Sequence, residues 1–338
     1  MKKNTSSKKI SLNDEVRRFL LDWNDDSQYI EVSTSGSTGK PKIIKIEKKK
    51  MIISAQKTID LLKIPEKSKA LLCLSPNTIA GKMMIVRAIV GNLELIIGEH
   101  SSNPLQNISE VINFTAMVPM QVANSLKFFP EKLRSIDKII IGGAPITSEL
   151  ENNLKHFNNE LYQTFGMTET ISHVALRKIN SKINDYYEGI DGVIFSIENN
   201  LLNITYPEIS EDIIKTNDVV ELLSPKRFKW IGRADFSINT GGIKYLAEEI
   251  ERKIQNIIPN SFFIAGIPDE LLGEKIVLII ESNQPVQFRK KDFLNLISRF
   301  ETPKFTITLP KFIKTNSGKI NRIATLKLIH NHVAFEIL

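Results

Sequence analysis

The sequence predicts an α/β protein, with a large N-terminal domain of layered helices and mixed or parallel sheets and a small α+β domain after it. At 338 residues the chain is longer than a single hydrophobic core usually supports, which favours two domains. Strand-length apolar runs alternate with helical periodicity as far as residue 157, a pattern typical of parallel sheets. After Gly232 the pattern changes to hairpins and shorter helices. We therefore expect domains at residues 1–232 and 236–338, joined by a hinge at residues 233–235.

Each predicted element rests on the spacing of its apolar residues. Helices are indicated where apolar side chains recur every three or four positions, and strands where short apolar runs lie between turn residues. The predicted helices cover residues 12–23, 48–62, 77–90, 246–257 and 292–300, with another from Pro145 to residue 157 and a last one near the C-terminus. The predicted strands include residues 29–32, 43–46, 70–74, 93–97, 115–118, 138–141, 161–163, 262–267 and 275–281, and a hairpin around Asn199-Asn200.

Composition and charge exclude several kinds of protein. With 42% hydrophobic and 25% charged residues the chain is an ordinary globular protein, and its one cysteine, Cys73, excludes a disulfide framework. The net charge of +7 could indicate nucleic-acid binding, but no basic motif with interleaved aromatics is present, and a preference for anionic substrates explains the charge as well. No signal region or membrane span is recognisable. We expect a cytoplasmic protein with no nucleic-acid partner.

The most informative stretch is residues 34–42, which reads TSGSTGKPK between two strand-like runs. Glycine lets the backbone approach an anion and expose consecutive N–H groups, and the hydroxyls and lysines add donors and charge. The spacing excludes the P-loop of kinases and hydrolases, because only two residues separate the glycines and Pro41 follows Lys40. The alternative is an ordinary solvated turn. We infer a polyphosphate ligand, whose candidate contacts are Thr34, Ser35, Gly36, Ser37, Thr38, Gly39 and Lys42.

Three further motifs contain candidate site residues. In FGMTET, at residues 165–170, Glu169 follows a hydroxyl and a glycine, which suits a carboxylate that holds Mg²⁺ beside a phosphate; a helix cap at Thr168 is the alternative. Asp218 precedes a strand, where an aspartate is commonly only a turn residue. GRADFSINTGGIK, at residues 232–244, has a Gly-Gly pair that could also mark a plain hairpin.

Together with a C-terminal lysine motif, SGKINR, these stretches resemble the adenylate-forming superfamily of acyl-CoA ligases, luciferases and peptide-synthetase adenylation domains. The resemblance covers nearly all of the chain from Ser33 onward. It implies the adenylate-forming ligase fold with a shortened N-terminal region and a mobile C-terminal domain. It also implies ATP, Mg²⁺ and coenzyme A as cofactors. Asn217 stands where the family usually has glycine, and asparagine tolerates left-handed backbone angles better than most residues.

The resemblance also implies a role for each motif residue. Thr168 would contact the α-phosphate, Glu169 would bind magnesium, and Asp218 would accept hydrogen bonds from the ribose hydroxyls. Arg233 would reach the ribose or a phosphate, and Asp235 would be the hinge residue. The remaining roles are nucleotide contacts at Gly143 and Ala144, a pantetheine contact at Gly241 and Gly242, and the catalytic lysine at Lys319.

Two stretches, residues 76–87 and 118–122, resemble the o-succinylbenzoate–CoA ligase branch of the superfamily, which serves menaquinone biosynthesis. This acid has a second carboxylate, which an arginine could bind in a bidentate fork. Arg87, within an otherwise apolar helix, is the candidate, and Gly81 would leave room for the substrate; a surface arginine is the alternative. An aromatic or histidine residue expected near Asn77 is missing.

The sequence thus predicts an AMP-forming acid–CoA ligase for a small carboxylic acid, most closely o-succinylbenzoate. Another aryl- or acyl-CoA ligase remains open, as does a non-catalytic nucleotide-binding module. Because the N-terminal region is short for the family, a homodimer could cover the surface that it leaves exposed.

Overall fold

The computed structural model describes residues 12–34, 42–180, 185–315, 320–329 and 334–337. The helices in these ranges are α1 (Leu12–Asn24), α2 (Lys48–Leu62), α3 (Ile79–Val90), α4 (Pro119–Phe128), α5 (Pro130–Arg134), α6 (Ser148–Leu154), α7 (Ala247–Ile254), α8 (Lys290–Phe293) and α9 (Arg322–Leu326). The strands in the same ranges are β1 (Tyr29–Thr34), β2 (Lys42–Glu47), β3 (Lys69–Leu72), β4 (Glu94–Ile97), β5 (Phe114–Met117), β6 (Lys138–Ile141), β7 (Glu160–Gly166), β8 (His173–Lys178), β9 (Tyr187–Gly189), β10 (Ile194–Glu198), β11 (Leu201–Thr205), β12 (Ile214–Lys215), β13 (Asp218–Ser224), β14 (Arg227–Arg233), β15 (Ser237–Thr240), β16 (Ile243–Leu246), β17 (Phe262–Asp269), β18 (Gly273–Glu281), β19 (Phe305–Leu309) and β20 (Ala334–Glu336).

The largest sheet in the described ranges has nine strands in the order β13-β14-β9-β8-β7-β6-β5-β3-β4. The strands from β7 to β4 run parallel, and those from β13 to β7 pair antiparallel. The predicted α/β class with a mixed sheet is confirmed. Its parallel half brings the carboxyl ends of β3 to β7 to one edge, where open α/β sheets usually bind their ligands.

Helices cover both faces of this parallel half, as the alternation of buried side chains along β3 shows. Ala70 and Leu72 belong to a core with α2 and α3, whereas Leu71 and Cys73 belong to a second core with α4, α5 and α6. Successive side chains of a strand point to opposite faces, so a strand apolar at every position must be covered on both. β5 is buried at all four positions for the same reason.

The C-terminal part of the chain has its own apolar cores. A six-stranded sheet, β16-β15-β18-β19-β20 with β17 paired to β18, packs against α7 through Ala247, Ile250 and Ile254. In the described residues, the fully buried members of the two larger cores end at Phe228, and those of the C-terminal cores begin at Ile238. The predicted division falls in this interval. That residues 233–235 act as a hinge between two domains stays a prediction.

The structure differs from the predicted elements at two helices. The helix predicted over residues 292–300 is wrong beyond Phe293, where α8 ends. Asn295 adopts a left-handed φ of 69°, which asparagine tolerates, and the chain turns once the Phe293 side chain is buried. α4, which begins at Pro119, was not predicted as a helix. In the ranges that the structure describes, no helix is both long and apolar enough to cross a lipid bilayer.

Candidate active site

Two neighbouring parallel strands bring several predicted residues to the same edge of the large sheet. β6 and β7 pair in parallel, with Ile141 opposite Gln163. Gly143 and Ala144 follow the end of β6, and Gly143 has a left-handed φ of 83° that favours glycine. Thr168 begins a 3-10 turn just after β7. The nucleotide candidates on these two strands therefore lie at adjacent strand ends.

The predicted phosphate loop joins β1 and β2, which pair antiparallel from Tyr29 opposite Glu47 to Thr34 opposite Lys42. The backbone of Thr34 and Lys42 is described, but their side chains are not. The other predicted phosphate contacts, Ser35, Gly36, Ser37, Thr38 and Gly39, lie outside the described residues. Their role stays a prediction.

Among the described residues, nothing occupies the side chains of Thr168 and Glu169. The Glu169 carboxylate is exposed. Neither it nor the Thr168 hydroxyl has a hydrogen bond or ion pair within the described part of the chain. The cap of the 3-10 turn is Met167 rather than Thr168, so the alternative of a helix cap at Thr168 is wrong. No cluster of three or more His, Cys, Asp or Glu side chains suited to a metal occurs among the described residues. A magnesium site here would combine one carboxylate with substrate oxygens, as Mg²⁺ commonly does.

Arg87 is a buried cation for which the described residues provide no counter-anion. Its side chain is 2% exposed, Nη2 donates to Ser172 Oγ at 2.5 Å, and Nε has no partner. No carboxylate of the described residues compensates its charge, and burial lowers the pKa of Arg87 to about 10. The alternative of a surface arginine is therefore wrong. An uncompensated buried charge is destabilising unless a ligand supplies its partner.

The Ser172 hydroxyl lies between Arg87 and a buried histidine. His173 Nδ1 is 3.4 Å from Ser172 Oγ, and His173 Nε2 is 3.2 Å from Thr58 Oγ1 on α2. Burial, and then the charge of Arg87, hold the pKa of His173 well below its ordinary value, so the ring is neutral at pH 7. Sequence reasoning missed Ser172, because it lies 85 residues from Arg87 in the chain.

Gly81 has a packing role at the start of α3. A Cβ atom there would lie 2.1 Å from the carbonyl oxygen of Ser75, so only glycine fits. Arg87 lies six positions after Gly81, about 9 Å along the helix axis. Close backbone contact is therefore enough to explain the glycine, and its role in leaving room for the substrate stays a prediction. Nearby, the Asn77 amide donates to Glu15 on α1 at 2.8 Å.

Asp218 is buried on β13 and is held by two side chains from β14. The Trp230 indole donates to Oδ1 at 2.8 Å, and Arg233 Nη1 lies 3.9 Å from Oδ2. Burial raises the pKa of Asp218, while these two partners oppose that rise. A carboxylate has about four acceptor positions, so capacity for ligand hydroxyls remains. Trp230 was not recognised from the sequence, where nothing connects it with Asp218.

The predicted hinge residue, Asp235, bridges the end of β14 and the segment before β13. It accepts hydrogen bonds from Arg233 Nη2 at 2.5 Å and from the Asn217 amide at 2.8 Å. The φ of Asn217 is not positive, so the chain does not use the left-handed backbone conformation that glycine would allow here. The Asn217 side chain instead donates a hydrogen bond to the predicted hinge residue.

The two remaining predicted features belong to the C-terminal sheet. Gly241 and Gly242 form the exposed turn between β15 and β16 with φ values of 59° and 80°, and Gly241 N–H donates to Leu272 O at 2.9 Å. Lys319 lies outside the described residues. The chain on either side is paired, because Lys314 forms a β-bridge with Ile320.

The comparison with known proteins agrees with these motifs. A family model described as AMP-binding enzyme matches residues 22–204, which is more than half of the chain. A crystal structure of an acyl-CoA synthetase (AMP-forming)/AMP-acid ligase II-like protein from Dyadobacter fermentans is 32% identical, with 95% of each chain covered and a TM-score of 0.64. The 2-succinylbenzoate–CoA ligase of Escherichia coli K12 is 23% identical over 306 residues, covering 86% of this chain and 67% of that protein.

The chain thus spans about two thirds of the length of the curated relatives that it matches. The fold is also that of the Bacillus subtilis o-succinylbenzoate coenzyme A synthetase (MenE) in complex with ATP and magnesium. That structure is 18% identical with a TM-score of 0.77, over 88% of this chain and 69% of the other. The chain belongs to the AMP-binding enzyme family.

Proposed function

We propose that this protein is an AMP-forming acid–CoA ligase whose acid is o-succinylbenzoate. Family membership supports the reaction type, and its cofactors are ATP, Mg²⁺ and coenzyme A. The names of the curated relatives support the acid. A different aryl- or acyl-CoA ligase is the second candidate, favoured by the 32% identical Dyadobacter fermentans structure, which is described only as an acyl-CoA synthetase (AMP-forming)/AMP-acid ligase II-like protein. No observation favours a non-catalytic nucleotide-binding module.

The observation that carries the acid is the buried Arg87 guanidinium, whose Nε has no partner. Within the described residues only the neutral Ser172 hydroxyl and the weak acceptor Met84 Sδ contact its terminal nitrogens. A ligand carboxylate would supply the missing charge in the bidentate geometry that guanidinium favours. An acid with two carboxylates can offer one to Arg87 and keep the other for activation.

In the first half-reaction, a carboxylate oxygen of the acid attacks the α-phosphorus of ATP and pyrophosphate leaves. The Thr168 hydroxyl donates to an α-phosphate oxygen, and Asp218 accepts from the ribose hydroxyls. Glu169 would hold Mg²⁺, which when bound neutralises phosphate charge. Lys319 would neutralise the charge that grows between the carboxylate and the α-phosphate.

In the second half-reaction, the coenzyme A thiol loses its proton to solvent and its sulfur attacks the acyl carbon. AMP leaves, taking the electron pair of the broken C–O bond. Gly241 and Gly242 are exposed and lack side chains, so a thin pantetheine arm can pass close to their backbone. Since Lys319 and this turn lie in the same small domain but serve different steps, the domain would swing about Asp235.

Replacing Glu169 with glutamine is expected to lower turnover at least about ten-fold. The amide keeps the shape of the side chain but loses the charge that binds magnesium, so excess magnesium should restore only part of the activity. Pyrophosphate release measured against magnesium concentration checks this. Glu94→Gln is the control, since Glu94 is exposed at the amino end of the parallel strands. Unchanged turnover and magnesium dependence in Glu169→Gln would contradict the assignment.

The proposed activity itself is tested by a pyrophosphate-release screen over carboxylic acids. O-succinylbenzoate should give the highest kcat/KM, and benzoate and other monoacids should give much lower values. A higher kcat/KM for a monoacid would contradict o-succinylbenzoate as the substrate but would leave the proposed reaction type intact. If none of the acids in the panel causes pyrophosphate release while the protein still binds ATP, the non-catalytic nucleotide-binding module is favoured.

A further inference from the structure

The short turn that presents Thr168 and Glu169 is organised around one buried hydroxyl. Thr170 is 0% exposed, and its Oγ1 accepts the Met167 N–H at 2.9 Å. The same oxygen lies 2.9 Å from the Met167 carbonyl and 2.7 Å from the Ser172 carbonyl, so its proton can be donated to either. A single hydroxyl therefore connects the residue before Thr168 with a residue three positions after Glu169.

The residue after Thr170 has a backbone conformation that few side chains adopt. Ile171 has φ 67° and ψ −47°, and the Ser172 N–H donates to the Thr170 carbonyl at 2.7 Å, which closes a γ-turn with positive φ. This turn is strained, and for a β-branched residue a positive φ is a real outlier. Ile171 is 3% exposed in the larger core, so packing holds it there. Strain of this kind persists only where its surroundings require it.

The turn ends on the residue that contacts Arg87. Ser172 accepts the Arg87 hydrogen bond, and its backbone packs on Gly166, where a Cβ would lie 2.3 Å from the Ser172 oxygen. The exposed Glu169 carboxylate and the Arg87 contact thus belong to one hydrogen-bonded turn, residues 167–172. No other described residue hydrogen-bonds the side chains of Thr168 or Glu169, so their direction depends on the backbone of this turn.

We propose that Thr170 is a positioning residue that aims Glu169 at magnesium by fixing the turn between residues 167 and 172. This inference rests on the proposed function, because it takes Glu169 as the magnesium ligand. Thr170 is 0% exposed and its hydroxyl contacts only backbone atoms, so it would act through the backbone. Groups that orient a metal ligand from behind typically change metal affinity about 10–100-fold when removed.

The experiment measures ATP binding by calorimetry, with magnesium and with the metal removed by chelation. Thr170→Val keeps the side-chain shape without the hydroxyl, and should lose about ten-fold in MgATP affinity while metal-free ATP binds as to wild type. Thr170→Ser keeps the hydroxyl and should stay near wild type. Thr115→Val is the matched control, because Thr115 is equally buried and donates to the Leu71 carbonyl at 2.9 Å, away from the turn.

If Thr170 had a purely structural role, Thr170→Val would lower the affinities for MgATP and for metal-free ATP equally, or would lower only the melting temperature. Either result overturns the inference. Equal MgATP affinity in Thr170→Val and wild type overturns it as well. If Thr170→Val does not fold, Thr170→Ala removes the same hydroxyl and takes its place. Glu169→Gln separates the two levels: if it keeps full MgATP affinity, the magnesium assignment itself fails. If Glu169→Gln loses affinity and Thr170→Val does not, only the positioning role fails.

Discussion

Replacing Lys319 with alanine is expected to lower the rate of acyl-adenylate formation by about 10²–10³-fold. A preorganised cation beside the developing charge costs no reorganisation during the reaction, and alanine provides nothing in its place. Supplied acyl-adenylate should still be converted to the thioester, because that step does not need this charge. Rapid-quench measurement of each half-reaction checks the split.

The matched control is Lys314→Ala, which removes an exposed lysine on the same segment and should leave both steps unchanged.

Replacing Asp235 with proline should have the opposite effect and slow thioester formation, because proline fixes φ at the predicted hinge. Asp235→Ala separates that backbone effect from loss of the hydrogen bonds from Asn217 and Arg233. Equal loss of both steps in Lys319→Ala and Asp235→Pro, with intact folding, would count against a domain that alternates between two steps.

Replacing Arg87 with alanine is expected to raise the KM for o-succinylbenzoate at least ten- to a hundred-fold and to leave the KM for ATP nearly unchanged. Truncating one member of a buried charge pair typically costs roughly 2–5 kcal/mol. Arg87→Met refills most of the side-chain volume that Arg87→Ala removes. It should raise the KM for o-succinylbenzoate by a similar factor if the effect comes from loss of the charge. Since the free protein has no counter-anion for Arg87 among its described residues, we expect neither variant to lose much stability through charge removal.

An analogue whose distal carboxylate is replaced by an amide makes this test specific. Wild type should discriminate strongly between the diacid and the amide, because only the diacid compensates the buried guanidinium. Arg87→Ala and Arg87→Met should barely distinguish the two compounds. If either variant keeps the full preference for the diacid, Arg87 is not the receptor and another cation must bind that carboxylate.

Local sequence patterns predicted much of the fold because they report contacts near in the chain. The helix over Lys48–Leu62 was predicted with its observed bounds, since one mainly apolar buried stripe runs from Met51 to Leu62. Asn199 and Asn200 both adopt the positive φ that a tight hairpin requires, as their sequence indicated. The helix predicted over residues 292–300 failed because its apolar spacing continued past Phe293 while the backbone turned at Asn295.

The sequence by itself determined the order of the motifs, and from that the family and the residue types available for chemistry. Only the tertiary structure decided which of them meet. It gave Gly81 a packing role against Ser75, left Glu169 without a partner in the described chain, and placed Ser172 on Arg87. The role inferred for Thr170 also came from folding, because a threonine hydroxyl acquires direction only from the buried backbone around it. Spacing along a chain predicts periodic contacts, whereas long-range packing alone decides which buried groups find partners.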